Sequence, residues 1–112
     1  MPERTHYLIL IFVHPGKLDV LRQYERHAAR LMERHGGKFE RVFRPQTQTI
    51  SGVENGEVPD EIHLLSFATP DGFQAFRADP DLNPFNALRD EAVRRAIVLP
   101  VTDYPLTTYF AE

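Results

Sequence analysis

The chain has neither cysteine nor tryptophan. Without a thiol there is no disulfide, no thiolate nucleophile and no cysteine-ligated metal, which fits a reducing cytoplasm. Long apolar runs are also missing, so nothing in the sequence is expected to span a bilayer. The opening Met1-Pro2-Glu3-Arg4 lacks the apolar core of a signal peptide, and a soluble cytoplasmic protein is the expectation. A basic surplus is absent too: 13 Lys and Arg stand against 16 Asp and Glu, for a net charge of −3. That balance speaks against a nucleic-acid partner. No glycine-rich phosphate loop follows a strand and no serine sits at a strand-to-helix elbow, which argues against nucleotide and acyl-serine chemistry. The 112 residues, 42% of them hydrophobic, suit one domain over residues 1–112 with a real core.

What is present is a pattern of strands. In His6-Tyr7-Leu8-Ile9-Leu10-Ile11-Phe12-Val13-His14, alternation puts Tyr7, Ile9, Ile11 and Val13 on one face and Leu8, Leu10 and Phe12 on the other. Both faces are apolar, so both must be buried. A strand over Glu61–Ala68 behaves similarly. A chain this small covers one sheet face with its own helices; the other face calls for a second copy, so a homodimer is expected.

Between these strands, His14-Pro15-Gly16 reads as a turn and Lys17–His35 as a helix. Its stripe is Leu21, Tyr24, Ala28, Leu31 and His35, and Arg22, Arg26, Arg30 and Glu33 form its wet side. Gly36-Gly37 ends it. Lys38–Arg44 reads as a strand with Phe39 and Phe43 on one face and Val42 on the other; Gln46–Ser51 continues it past a bulge. Asn55-Gly56 is a turn signal within an acidic loop. Thr69-Pro70-Asp71 starts a second helix, Asp79-Pro80-Asp81 breaks it, and Asn83-Pro84 caps a third. Arg95–Asp103 is the last strand, with Pro100 marking an edge or bulge. The tail beyond Pro105 carries Leu106, Tyr109 and Phe110, and is expected to pack on the partner.

The order β-α-β-β-α-β predicts an α+β, ferredoxin-like four-stranded antiparallel sheet with its helices on one face. The first and third strands are expected to be its central pair, side by side and parallel.

With Gly36-Gly37 before the second strand, Pro59-Asp60-Glu61-Ile62 leading into the third, and Phe73-Gln74-Ala75-Phe76 followed by Asp79-Pro80, nearly the whole chain resembles the dimeric α+β barrel superfamily. It looks most like a bacterial branch of unassigned function. The superfamily includes antibiotic-biosynthesis monooxygenases, heme-degrading monooxygenases, polyketide cyclases and lactone isomerases, so the resemblance implies a fold and not a reaction. The heme-degrading pattern needs an asparagine, a tryptophan and a heme-ligating histidine on the second helical segment, and the cyclase pattern a histidine-containing motif after the second helix. This chain has no Trp, and no His after His63.

The residues that can carry chemistry are few. With parallel central strands, His6 and His63 would meet at one end of the sheet, and Asp103 would arrive there from the last strand. Such a cluster could assemble a general base, since histidine titrates near neutrality and a carboxylate orients it. The plainer alternative is one strand-end histidine in water and one hydrogen-bonded core histidine. Tyr24 either shares a helix–sheet pocket with them or is a core tyrosine whose hydroxyl reaches the rim. Arg41 either holds a carboxylate or phenolate or pairs with an acid across the dimer. Phe12, Phe67 and Phe73 are the expected apolar lining. His14, His27 and His35 read as turn or helix-surface residues. The histidines carry no metal-ligand spacing, and neither metal nor cofactor is expected.

The expected function is that of a small cofactor-independent enzyme of monooxygenase, cyclase or isomerase type acting on an apolar or aromatic molecule. The alternative is a non-catalytic homodimer that binds a metabolite or is purely structural. An enclosed pocket facing His63 would favour the first; a space filled by Phe12, Phe67, Phe73 and Phe76 the second.

Overall fold

A computed structural model describes residues 3–46, 51–53 and 57–112. Strand β1 (Thr5–Val13) leads through the His14-Pro15-Gly16 turn into helix α1 (Leu18–Arg34). Strands β2 (Gly37–Phe43) and β3 (Glu61–Phe67) follow, then α2 (Gly72–Arg77), a 3-10 segment (Pro80–Phe85), α3 (Asn86–Ala92), β4 (Val93–Val101) and a single turn, α4 (Leu106–Tyr109). The four strands form one antiparallel sheet in the order β2-β3-β1-β4. This is the α+β architecture the element order predicts.

The pairing of the central strands corrects one expectation. β1 and β3 are neighbours, but antiparallel. The physical reason is connectivity. The α1 crossover makes β1 and β2 run the same way, and β3, inserted between them, must oppose both.

Side chains divide cleanly. Tyr7, Ile9 and Ile11 of β1 face the helices together with their partners Leu65, His63 and Glu61 of β3. Leu8 and Leu10, with Leu64, Ile62, Ile97 and Leu99, lie on the opposite face. The helix-side core gathers Tyr24, Ala28, Leu31 and Met32 of α1 against Phe67, Phe73, Phe76 and Leu82. Met32, not His35, completes the α1 stripe.

Strand β2 carries an irregularity that period-two alternation does not foresee. Its register against β3 shifts between Phe39 and Arg41. One extra residue reverses the parity of everything after it. Phe39 and Val42 therefore face the helices, opposite Leu65 and His63, while Arg41 and Phe43 face away, opposite Leu64 and Ile62. Phe39 and Phe43 do not share a face as expected.

Element ends follow local chemistry. Gly36, with φ of 76°, occupies the left-handed position after α1. Gly37 admits the ring of Phe67 where a side chain would stand: a Cβ there would lie 2.3 Å from Phe67 Cε1. The Asp79 side chain accepts from the Asp81 N–H at 2.9 Å and opens the 3-10 segment with Pro80 at its first position. Asp79 thus both ends one helix and starts the next segment, and Pro84 lies inside that segment rather than at a cap. Helix α2 begins at Gly72, two residues later than Thr69-Pro70 suggests, because the Gly72 N–H bonds the Thr69 carbonyl in a turn first. Pro100 sits on the edge strand β4, where a missing N–H costs no ladder bond. The Asn55-Gly56 turn and most of Gln46–Ser51 lie outside the described residues. No helix among the described residues is long and apolar enough to cross a membrane.

Candidate functional site

The helix-side face of β3 reads Glu61, His63, Leu65, Phe67 at every second residue. Glu61 and His63 are therefore neighbours on one face, beneath α1. Both are buried, 4% and 2% exposed. His63 Nε2 lies 2.7 Å from Glu61 Oε1. A carboxylate only accepts, so Nε2 carries the donated hydrogen; in the neutral tautomer that this requires, the lone pair is on Nδ1. The second oxygen of Glu61 accepts from Arg44 Nε at 2.9 Å, so a guanidinium compensates the buried carboxylate. Phe39 meets the His63 ring edge-on at 5.3 Å between centroids.

His63 borders two cavities. The inner one, about 380 Å³, lies between the sheet and helices α1, α2 and α3. Ile9, Leu65 and Val98 form its floor, Tyr24, Met32 and Phe73 much of its wall, and Arg77, Asn86, Arg89 and Asp90 supply its polar lining. The outer one, about 660 Å³, lies between α1 and β2 and is bounded by Arg22, Glu25, Arg26, Phe39, Val42 and Arg44 with Glu61 and His63. Both volumes are within the range of about 300–1,000 Å³ usual for small-molecule sites. His63 and Glu25 stand in the walls of both.

Two groups here are displaced from ordinary titration. Glu25 is pushed up to about 8, by burial first and by the Glu61 carboxylate second, with Arg89 opposing. It is therefore largely protonated at neutral pH. The Tyr24 hydroxyl is pushed up to about 12 by burial and by Glu25, with Arg89 and Arg77 opposing. It remains a neutral donor across the physiological range.

Of the residues singled out from sequence, Tyr24, Phe73 and His63 stand in the inner cavity wall. The others are placed elsewhere. His6 pairs with Ser66 and His63 with Ile9, so the two histidines are on opposite faces and about 10 Å apart along the strand. The antiparallel pairing is the cause, and the His6–His63–Asp103 cluster does not form. Asp103 is exposed two residues beyond β4, whose Val101 pairs with His6 at the far end. Phe12 is on the open face, with the guanidinium groups of Arg94 and Arg95 over its ring at 5.5 and 5.3 Å. Arg41, turned outward by the β2 irregularity, stacks on Phe43 at 5.0 Å. Phe67 is completely buried beneath the helices, packed against Tyr7, Phe73 and Phe76.

Glu61, Glu25 and Arg44 escaped sequence reasoning, and the first two carried a signal. Glu61 shares parity with His63, two residues away. Glu25 recurs with Leu21, Ala28 and Met32 at steps of four, three and four, a glutamate on the buried side of α1. His35 is also not a plain surface residue: its Nε2 lies 2.8 Å from Asp79 Oδ2.

No family model matches the chain, and no curated protein matches it. Solved structures match in fold. A protein of unknown function from Rhodopseudomonas palustris is similar with a TM-score of 0.71 and 20% identity, covering 93% of this chain and 86% of that one. A dimeric protein of unknown function and ferredoxin-like fold from Bacteroides fragilis gives 0.60 and 13%, covering 89% and 96%. SnoaB, a cofactor-independent oxygenase from Streptomyces nogalater, gives 0.59 and 13%, covering 91% and 96%. At these identities the likeness is one of fold alone.

Proposed function

We propose that this chain is a homodimeric, cofactor-independent enzyme of the dimeric α+β barrel type, one domain over residues 1–112, working in the cytoplasm. It transfers a proton to or from an apolar or aromatic small molecule held in the inner cavity. The observation that carries this reading is buried His63, hydrogen-bonded to Glu61 behind it, in the wall of a cavity of about 380 Å³ with both apolar and polar lining. A purely structural core would fill that space with phenylalanine. Here Phe12 is on the other face, while Phe67, Phe73 and Phe76 do pack together on the helix side but leave a cavity beside Phe73 and Phe76, which supports a ligand in the space left over.

This reading gives each residue a role. Glu61 orients the imidazole through its hydrogen bond with Nε2, and Arg44 in turn holds the Glu61 carboxylate in place. His63 takes a proton from an acidic C–H or phenolic O–H of the bound molecule. The neutral Tyr24 hydroxyl donates to the oxygen on which negative charge develops. The resulting enolate or phenolate is the first species needed in isomerisation, cyclisation or cofactor-free oxygenation. SnoaB is described as a cofactor-independent oxygenase; its shared fold is compatible with this reading but does not select among the three reactions.

The test uses 2-tetralone, an apolar aromatic ketone with acidic C–H bonds. In deuterated buffer the wild-type protein should accelerate deuterium incorporation beside the carbonyl, followed by proton NMR. His63→Gln keeps a donor for Glu61 but has no basic nitrogen, and should lower the protein-dependent rate by about 10²-fold or more. Equal rates in wild type and variant, with the fold intact by circular dichroism, would remove His63 from the role.

A further inference from the structure

The outer cavity has a chemistry of its own. Arg22 and Arg26, one helical turn apart on α1, face Arg44 across it. Two of these cations have carboxylate partners: Arg44 with Glu61, and Arg22 with Asp19. No ion pair is recorded for Arg26 among the described residues. Glu25, between them in sequence and in the same wall, is raised by burial and by Glu61, so it adds no full negative charge at neutral pH and instead presents an O–H donor. Three arginines, of which Arg26 has no carboxylate partner among the described residues, thus line a cavity that adjoins the inner one, and Glu25 and His63 stand in the walls of both.

We propose that the outer cavity is the binding subsite for the anionic head of an amphipathic organic acid, a carboxylate on an aromatic or alicyclic body. The carboxylate accepts hydrogen bonds from the Arg26 guanidinium and the Glu25 O–H. The body passes beside His63 into the inner cavity, against Tyr24, Met32 and Phe73. This deepens the preceding reading and rests on it for the occupancy of the inner cavity. It narrows the substrate class from apolar molecules in general to apolar molecules carrying one anionic group. A charge-assisted bond from the exposed Arg26 guanidinium to a carboxylate is the interaction that separates such a ligand from its neutral isostere.

The experiment compares 1-naphthylacetate with 1-naphthylacetamide by isothermal titration at neutral pH, using wild type, Arg26→Gln and, as a control outside both cavities, Arg30→Gln. The carboxylate should bind wild type and Arg30→Gln about tenfold or more tightly than the amide. Arg26→Gln should remove most of that preference while leaving amide affinity within about twofold. Equal affinities for the two probes in wild type would overturn the anionic subsite and leave the apolar cavity standing. A preference that survives Arg26→Gln but falls in Arg89→Gln would place the anion at the inner cavity's polar lining and overturn the assignment. Binding of neither probe would overturn this proposal, while the tetralone exchange experiment decides the proton-transfer reading separately.

Discussion

Glu25 makes the sharpest demand at the scale of single residues. It lies near the Glu61 carboxylate and His63 of β3, near Arg44 after β2 and Arg89 of α3, and near Arg22 and Arg26 on its own helix. Its carboxyl titrates at about 8 in the folded chain and near the ordinary 4.5 when unfolded. Between those values the folded state holds a proton that the unfolded state has released. Stability must therefore fall as pH rises through that window. Urea midpoints at about pH 5 and about pH 9 should show the wild type losing on the order of 3 kcal/mol more than Glu25→Gln across the interval. Parallel pH profiles would mean that Glu25 is solvated and ordinary. The residue was readable in part: it sits on the apolar stripe of α1, but among the flanking arginines it looks like one more surface charge. The His63–Glu61 pair was likewise half legible. Alternation gave them one face of a strand, whereas their burial depends on α1 lying above them.

Among the elements, strand direction and a single inserted residue are what local periodicity does not carry. The apolar runs, the helix stripe over Leu21–Leu31 and the Gly36 stop were visible in local periodicity. The antiparallel pairing of β1 with β3 is a property of the crossover, and the register shift in β2 leaves no mark on an alternating sequence. These two features decide where the histidines and Arg41 go. Close approach at Gly37 is another such feature. The Phe67 ring occupies the place a side chain would need, and Phe67 has no free space to yield because it is fully buried. Gly37→Ala should destabilise the chain by about 1–3 kcal/mol through overpacking. A denaturation midpoint unchanged from wild type would show that the ring can move aside.

The whole molecule has two unlike faces. One is covered by helices and carries the candidate site. The other exposes Leu99, Val101 and Phe43 beside the partly buried Leu8, Leu10, Ile62 and Leu64. The tail adds exposed Leu106 and the rings of Tyr104, Tyr109 and Phe110, with Tyr109 edge-on to both of the others; Phe110 is 72% exposed. Burying even four of the aliphatic side chains against a second copy is worth about 6–12 kcal/mol before the entropic cost of association. Sedimentation should show a dimer at micromolar concentration, and Leu64→Lys should shift it to monomer. A folded wild-type monomer under those conditions would contradict the pairing.

The division of labour between the two faces is the centre of the account, and one measurement addresses it. In a methyl NMR titration with 2-tetralone, the signals of Ile9, Ile11, Leu65 and Val98, which line the inner cavity, should shift and saturate. Those of Leu8, Leu64 and Leu99, on the opposite face, should stay in place. Saturable shifts confined to Leu8, Leu64 and Leu99, or no saturable shift at any of these methyls, would contradict a ligand site built around His63.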